Sequence, residues 1–177
     1  MSSNIEDILE ADHGELDSLL ARVFAAIEAG DRDETYRSLD FFWARLAMHI
    51  RAEHLRLFPA ARRIAENGRE DIGDVPRLLE DLQHDHDFFM RNLARAIKAM
   101  RLVFDFGNET ETFEIVRDLL GEIKERLVVH NRIEEERIYP LASEALLEPD
   151  ELETLSRAVK KELDNYPQRF AAERPGS

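Results

Sequence analysis

The sequence contains no cysteine among its 177 residues. This absence excludes a disulfide-stapled fold, cysteine-ligated zinc, an iron–sulfur cluster and thiol catalysis. Glycine and proline are also scarce, at 7 and 6 residues, and no apolar run approaches the roughly 20 residues of a membrane span. The segment from Met1 to Glu10 lacks the apolar stretch of a secretory signal. We therefore expect a soluble, cytoplasmic and mainly helical protein.

Positive charge is in short supply, because 24 Lys and Arg face 38 Asp and Glu, which leaves a formal net charge of −14. Nucleic acids and anionic membranes both select basic surfaces, so neither is expected as a partner. The length corresponds to one domain, and a domain of this size buries roughly 70% of its unfolded surface. We expect most of the excess acidic residues to be exposed to solvent on the surface, and the functional residues to lie in the core.

Apolar residues recur every three or four positions in four long stretches, a pattern typical of amphipathic α-helices. No stretch alternates with a period of two, so no sheet is expected. Short connections between long helices favour antiparallel neighbours, which predicts an all-α fold, an antiparallel up-down-up-down four-helix bundle. A short additional C-terminal helix begins at Pro149. The bundle is assigned to residues 1–147, and residues 148–177 are expected to form a helix and tail that pack on the same domain.

Several residues mark the expected helix ends. Gly30 follows the first apolar series, and Asp31 with Glu34 resembles a capping box for the second helix. Pro76 suits the first turn of the third helix. Gly107-Asn108 is expected to end the third helix and cap the fourth.

Six polar residues interrupt the centres of the apolar stripes, where the pattern demands buried side chains. A buried carboxylate without a partner is costly, so it neutralises or finds a cation. A spacing of four, as in H-x3-E, places imidazole and carboxylate on one face of a helix. The six residues are His13, His49, Glu53, His86, His130 and Glu134.

The chain reads as a duplicated helical hairpin. The segment from His49 to Pro59 aligns without gaps to the segment from His130 to Pro140, and both follow the pattern H-x3-E-x4-aromatic-P. Asp12-His13 likewise recurs as Asp85-His86. In a bundle the six side chains converge in one layer, where two His, His and Glu sets can hold two metal ions bridged by both carboxylates. Nitrogen and oxygen ligands without sulfur suit iron, manganese or zinc.

Other polar residues near these motifs have plainer interpretations. His84 is expected on the surface, and His54, which aligns with Glu135, is expected at the rim or in a hydrogen bond outside the ligand set. Asp12 and Asp85 either orient the imidazoles or lie in solvent. A metal-free bundle that binds partners is the competing interpretation, and it leaves two buried glutamates unexplained.

The combined pattern resembles the hemerythrin-like HHE cation-binding domains over about Ile5 to Leu147. The resemblance implies an antiparallel four-helix bundle around a non-haem di-iron centre, with both carboxylates and an oxo or hydroxo group bridging the ions. Zinc or manganese are possible substitutes. The metal ligands that the resemblance implies are His13, His49, Glu53, His86, His130 and Glu134.

The sequence departs from the oxygen-carrying hemerythrins in two ways: its helix four carries His130-x3-Glu134 where those proteins have a His-x4-Asp, and one ligand is missing. Those proteins have a second histidine on helix three, four residues from the first, whereas the positions four from His86 are Leu82 and Met90. Water could take that place, His54, His84 or Glu135 could move in, or the coordination could stay open. This departure argues against reversible oxygen carriage and favours an open site for dioxygen, peroxide or nitric oxide.

The leading functional hypothesis is therefore a di-iron protein that binds, senses or reduces a small oxidant. Apolar neighbours expected to shield the site are Leu46, Ile50, Phe89 and Leu127. Storage or buffering of iron or another divalent metal, without redox turnover, is the alternative. A true enzyme, peroxidase-like or nitric-oxide-consuming, ranks below both, and no catalytic residue is assigned. The fifth helix could cover the bundle or form a homodimer contact.

Overall fold

The computed structural model describes residues 4–66, 74–106, 109–145 and 148–173. Within these ranges the regular structure is entirely helical. Two π-helical turns continue helices, and a 3-10 helix, Gln168–Glu173, follows the final α-helix. The elements in chain order are α1 Ile5–Glu28, α2 Arg32–Ala52, the first π-turn Glu53–Leu57, α3 Phe58–Glu66, α4 Val75–Phe106, α5 Glu109–Ile133, the second π-turn Glu134–Ile138, α6 Tyr139–Ala145 and α7 Pro149–Leu163.

Local sequence explains where these helices begin and end. The Asp31 side chain accepts from the Glu34 backbone N–H at 2.9 Å, as expected for the cap of α2. Gly30 adopts a positive φ of 66°, the left-handed conformation that stops α1. Pro76 lies in the first turn of α4, where its missing N–H costs nothing. The predicted caps at Gly107 and Asn108 lie outside the described residues.

The four long helices pack as a bundle. Helix α1 packs on α2 and α4 packs on α5, while contacts of α2 with α4 and of α1 with α5 join the two pairs. The apolar stripes predicted from the sequence face inward. Among the fully buried side chains are Leu9, Leu39, Phe42, Phe89, Leu93 and Leu120.

Two large apolar clusters fill the interior of the bundle, with a polar layer between them. On α1, Ile5 and Leu9 belong to one cluster, and Leu16 and Leu20 belong to the other. The same division occurs on the other long helices, and the histidines and glutamates of the stripes lie at the division on each. The sequence therefore positions its polar residues at one height of the bundle.

Both proline motifs produce a π-helical turn and then more helix. The backbone N–H of Phe58 bonds to the Glu53 carbonyl, five residues back, and that of Tyr139 bonds to the Glu134 carbonyl in the same way. The next residue in each motif is proline, which has no N–H to donate, so the ladder widens just before it. Glu53 and Glu134 each begin such a turn, a feature frequent at functional sites.

Helix α7 packs on the bundle. It contacts α1, α2 and the first π-turn. Its residues Val159 and Leu163 join the apolar cluster that contains α3 and α6. None of the helices that the structure describes is both long enough and apolar enough to cross a membrane.

Candidate metal centre

The six polar residues of the stripes meet in the middle of the bundle. All are buried, and the side chains of Glu53 and Glu134 have no exposed surface at all. Within the described residues, two groups of ligand atoms are close enough to hold a metal ion, and both glutamates belong to each group. The first group adds His13 and His49, and the second adds His86 and His130.

The imidazoles form two pairs whose Nε2 atoms face each other. His13 Nε2 lies 3.2 Å from His49 Nε2. His86 Nε2 lies 2.9 Å from His130 Nε2. Two nitrogen ligands about 2.1 Å from one ion and about 90° apart are roughly 3.0 Å from each other. The observed separations therefore match two ligands of a common cation.

Glu53 extends one carboxylate oxygen toward each histidine pair. Its Oε1 lies 3.2 Å from His49 Nε2, and its Oε2 lies 3.3 Å from His86 Nε2. A carboxylate in this orientation can bridge two ions.

Glu134 repeats this arrangement from the opposite hairpin. Its Oε2 lies 3.4 Å from His13 Nε2, and its Oε1 lies 3.1 Å from His130 Nε2. The two glutamates therefore lie between the histidine pairs as the predicted duplication requires.

The six side chains fit a metal ion because most of the atoms that they direct into the centre carry lone pairs and are hydrogen-bond acceptors. Glu53 Oε2 and Glu134 Oε1 are buried without a hydrogen-bond partner. An imidazole that donates from Nδ1 presents a lone pair at Nε2, so the centre collects lone pairs and carboxylate charge. Such a cage requires cations, either protons or metal ions. Nitrogen and oxygen donors suit iron, manganese or zinc.

Acidic side chains orient two of the imidazoles from behind. His49 Nδ1 donates to Asp12 Oδ2 at 2.8 Å, and His130 Nδ1 donates to Asp85 Oδ2 at 3.2 Å. This is the usual way in which a protein fixes the tautomer and ring angle of a metal-binding histidine. Of the two interpretations that the sequence left open for Asp12 and Asp85, the structure selects the orienting one.

The other two imidazoles have unlike partners. His13 Nδ1 donates to Glu135 Oε1 at 2.8 Å, whereas His86 Nδ1 lies 2.8 Å from His54 Nε2. Glu135 and His54 occupy equivalent positions in the repeat, so one side gains a carboxylate where the other gains a neutral ring. Burial and the nearby His86 lower the pKa of His54, which keeps it uncharged.

An arginine stands behind each orienting aspartate. Arg45 pairs with Asp12, and both side chains are buried. Arg126 pairs with Asp85 and donates from Nε at 2.6 Å. Arg45 and Arg126 are equivalent in the repeat, although the sequence analysis did not single them out. Their fixed spacing of four residues before each H-x3-E motif was the available signal.

The aromatic residues of the two motifs differ in what they offer the site. The Tyr139 hydroxyl lies 2.9 Å from Glu53 Oε1, 3.0 Å from His13 Nε2 and 3.3 Å from Glu134 Oε2. Its single O–H donates to one of these at a time. Burial and the two carboxylates raise the pKa of Tyr139 well above its usual value, so the hydroxyl keeps its proton. Phe58 instead stacks on His86, with ring centroids 5.9 Å apart.

Electrostatics in the metal-free centre favour proton-sharing pairs. Burial by itself lowers the pKa of His130, but the charge of Glu134 and the hydrogen bond to Asp85 outweigh it and raise the value to about 9. The pKa of His49 rises because Glu53 outweighs burial in the same way. Burial opposes ionisation of Glu53, yet His49 and His86 hold its pKa well below the usual value. Protons therefore occupy this cage when metal does not.

A cavity of about 10 Å³ adjoins the histidines, which is space for about one water-sized molecule. Of the four apolar residues expected to shield the site, Leu46, Phe89 and Leu127 line this cavity, and Leu16 lines it as well. Ile50 is buried elsewhere in the same apolar cluster.

The oxygen carriers have an additional histidine on the third long helix, which corresponds to α4 here. None of the three candidates that the sequence offered for its place, His54, His84 and Glu135, lies there. His84 is exposed. His54 and Glu135 each contact a histidine at Nδ1, on the side of the ring away from the carboxylates. Tyr139 reaches between the glutamates, but on the side of His13.

The comparisons with known proteins agree with this geometry. The family described as the Hemerythrin HHE cation binding domain matches residues 4–142, which include all six converging residues. No curated protein matches the chain. No solved structure matches it either.

Proposed function

The chain belongs to the hemerythrin HHE cation-binding family, and from that premise we propose that it is a di-iron protein which binds, senses or reduces a small oxidant. The observation that carries the proposal is the orientation of Glu53 and Glu134, each with one oxygen toward each histidine pair. The proposed fold around this centre is an antiparallel up-down-up-down four-helix bundle, supported by the pairing of α1 with α2 and of α4 with α5.

In the proposed centre, His13 and His49 would hold one ion, His86 and His130 would hold the other, and Glu53 and Glu134 would be carboxylate ligands available to both. Six side-chain ligands are fewer than two six-coordinate ions would require, so a small molecule could bind as a further ligand. The cavity of about 10 Å³ beside the histidines provides space for about one water-sized molecule next to the site. A bound iron pair would supply electrons to such an oxidant.

The protein contributes three further functions at this site. Its apolar walls exclude bulk water and favour an uncharged guest. The carboxylates at His13, His49 and His130 keep the imidazole tautomers fixed. The Tyr139 O–H provides one hydrogen-bond donor in a region otherwise filled with acceptors.

Metal content tests the binding part of the proposal. The purified protein, reconstituted with Fe²⁺, should bind two ions per chain, because two ligand groups are present in the described residues. Glu134→Ala removes a bridge and should lower bound metal, and His86→Ala should do the same. His84→Ala is the control, since His84 is exposed and should leave the metal content unchanged. Equal losses in the two histidine variants would contradict the assignment on α4.

Oxidant consumption tests the functional part. Reduced, iron-loaded protein is mixed with dioxygen, peroxide or nitric oxide, and both the optical spectrum and the disappearance of the oxidant are followed. The proposal predicts a stoichiometric reaction that requires Glu53 and Glu134. Tight iron binding with no reaction toward any of the three would favour iron storage or buffering, the alternative function.

A further inference from the structure

The C-terminal segment, defined as Pro149–Phe170, lies beyond the part of the chain that the family covers. It is held against the first hairpin at two places. Glu162 is buried and accepts from Arg51 Nε at 3.0 Å and from Arg56 Nη2 at 2.6 Å. Farther on, aromatic residues of the segment pack on α2, with Tyr166 and Phe170 against Phe41 and Met48.

Three arginines of the first hairpin touch this segment. Besides Arg51 and Arg56, the guanidinium of Arg45 donates to the Tyr166 hydroxyl and lies 5.7 Å from the centre of its ring. Each of the three has an arginine at the equivalent position of the second hairpin, namely Arg126, Arg132 and Arg137. Arg51 and Arg56 are exposed, as their equivalents are, so only Arg45 is buried where its equivalent is exposed.

The consequence for the metal centre is clearest at Arg45 and Arg126. Both pair with the aspartate that orients a histidine, so the chemistry of the two relays is the same. Arg45 is 4% exposed and Arg126 is 45% exposed. The aspartates follow the same order, at 3% for Asp12 and 17% for Asp85.

We propose that the C-terminal segment is a positioning element that seals the relay behind His49 and makes the two metal positions unequal. The ion between His13 and His49 is then the slowly exchanging one, and the ion between His86 and His130 exchanges faster. This inference rests on the proposed two-ion centre.

The physical reason is the environment of the aspartate. An ion pair shielded from water is screened less than one at the surface. The hydrogen bond between Asp12 and His49 is therefore stronger than the one between Asp85 and His130. Release of an ion requires its imidazoles to swing away. A ring with a fixed outer partner resists that movement, and the segment fixes the partner on one side only.

The experiment uses Co²⁺ as the probe. Metal-free, full-length protein is loaded with Co²⁺ and mixed with an excess of chelator, and loss of the Co²⁺ absorbance is followed with time. Two release phases of similar amplitude are expected. His49→Ala should abolish the slow phase and His130→Ala the fast one, which assigns each phase to a position.

Variants of the segment then test its role. Tyr166→Ala exposes Arg45, and Glu162→Gln weakens the attachment of α7 to Arg51 and Arg56. Both should accelerate the slow phase about threefold to tenfold, by analogy with the loss of outer hydrogen-bond partners at metal sites. The fast phase should stay unchanged. Tyr166→Phe keeps the packing on Phe41 and should accelerate the slow phase less than Tyr166→Ala.

Phe88→Ala provides the matched control, because the Phe88 ring lies 4.6 Å from the guanidinium of Arg126 in the other relay. It should alter the fast phase and leave the slow one unchanged. Circular dichroism checks that each variant folds, and Glu162→Gln with Tyr166→Phe decides the question if Tyr166→Ala does not fold.

The outcomes separate this inference from the proposed function. Failure to bind Co²⁺ or Fe²⁺ contradicts the two-ion centre itself. Two bound ions with a single release phase, a slow phase that belongs to His130, or equal acceleration of both phases by Tyr166→Ala would overturn the role of the C-terminal segment alone.

Discussion

Each histidine of the centre has a partner at Nδ1, so its ring is oriented before any ion arrives. The partners are acidic at His13, His49 and His130, and neutral at His86. An acidic partner makes an imidazole a more basic ligand. The side that holds His86 therefore combines the weakest outer partner with a phenylalanine in place of the tyrosine, and it is the less strongly donating half.

Removal of an outer partner should weaken metal binding without removing a ligand. We expect His54→Ala and Glu135→Ala each to lower metal affinity about tenfold, because His86 and His13 lose the group that fixes their rings. Isothermal titration of metal-free protein measures the change. Glu136→Ala, beside Glu135 but exposed, should have no effect, and an equal loss in that control would contradict the assignment.

Helix α1 ends at Gly30 because glycine tolerates a positive φ, and a comparison with Gly14 inside the same helix measures the energetic value of that signal. Gly30→Ala forces a side chain into a φ of 66° and should destabilise the protein by about 1 kcal/mol. Gly14→Ala places a methyl group in the interior of α1, with nothing within 4 Å, and should stabilise it by about 0.5–1 kcal/mol. Denaturant unfolding of both variants checks the opposite signs. Similar values for the two would show that backbone conformation is not the cause.

The two π-turns are the elements that sequence reasoning missed. The i, i+4 pattern of His49 and Glu53 continues smoothly into Leu57, so periodicity alone indicates an unbroken α-helix. A proline such as Pro59 removes one helical hydrogen bond, which by itself favours a kink or a helix end. The helix instead widens by one residue and continues, because the packing of Phe58 and Ile64 in the core supports α3 beyond the proline. Such long-range support has no local signature.

At the scale of the molecule, the stability of the metal-free protein should fall as pH rises from 7 to beyond 9. The folded pKa of His130 is about 9, above the ordinary value near 6.5. A raised pKa contributes stability fully below the unfolded value, and that stability is lost as pH rises through the folded value. The loss should reach at most about 3 kcal/mol, measured by urea unfolding at several pH values.

The metal-loaded protein should behave in the opposite way over the same interval. Metal ions must displace the protons that His49 and His130 hold, so binding strengthens as pH rises. Bound metal stabilises the folded state in proportion to that affinity. Melting temperatures of the Zn²⁺-loaded protein between pH 6 and 8.5 should therefore increase. A parallel fall in both forms would contradict the view that protons and metal compete for one cage.

Much of the candidate site was predictable because its sequence motif occurs twice in the chain. The repeated H-x3-E-x4-aromatic-P motif placed Glu53 and Glu134 on buried stripes, and a helical period of 3.6 fixed which residues share their face. The duplication then required the two halves to meet. Their convergence in the structure, together with the family match to residues 4–142, agrees with that reasoning.

The sequence by itself therefore determined the helices, the duplicated pattern and the six residues brought to one layer, because helical periodicity and the cost of buried charge are local properties. Only the tertiary structure decided how the two halves differ. Arg45 and Arg126 read alike in the repeat, and what separates them is whether Tyr166, more than a hundred residues from Arg45 in the chain, covers the guanidinium. Burial of this kind depends on distant packing, which no local pattern encodes.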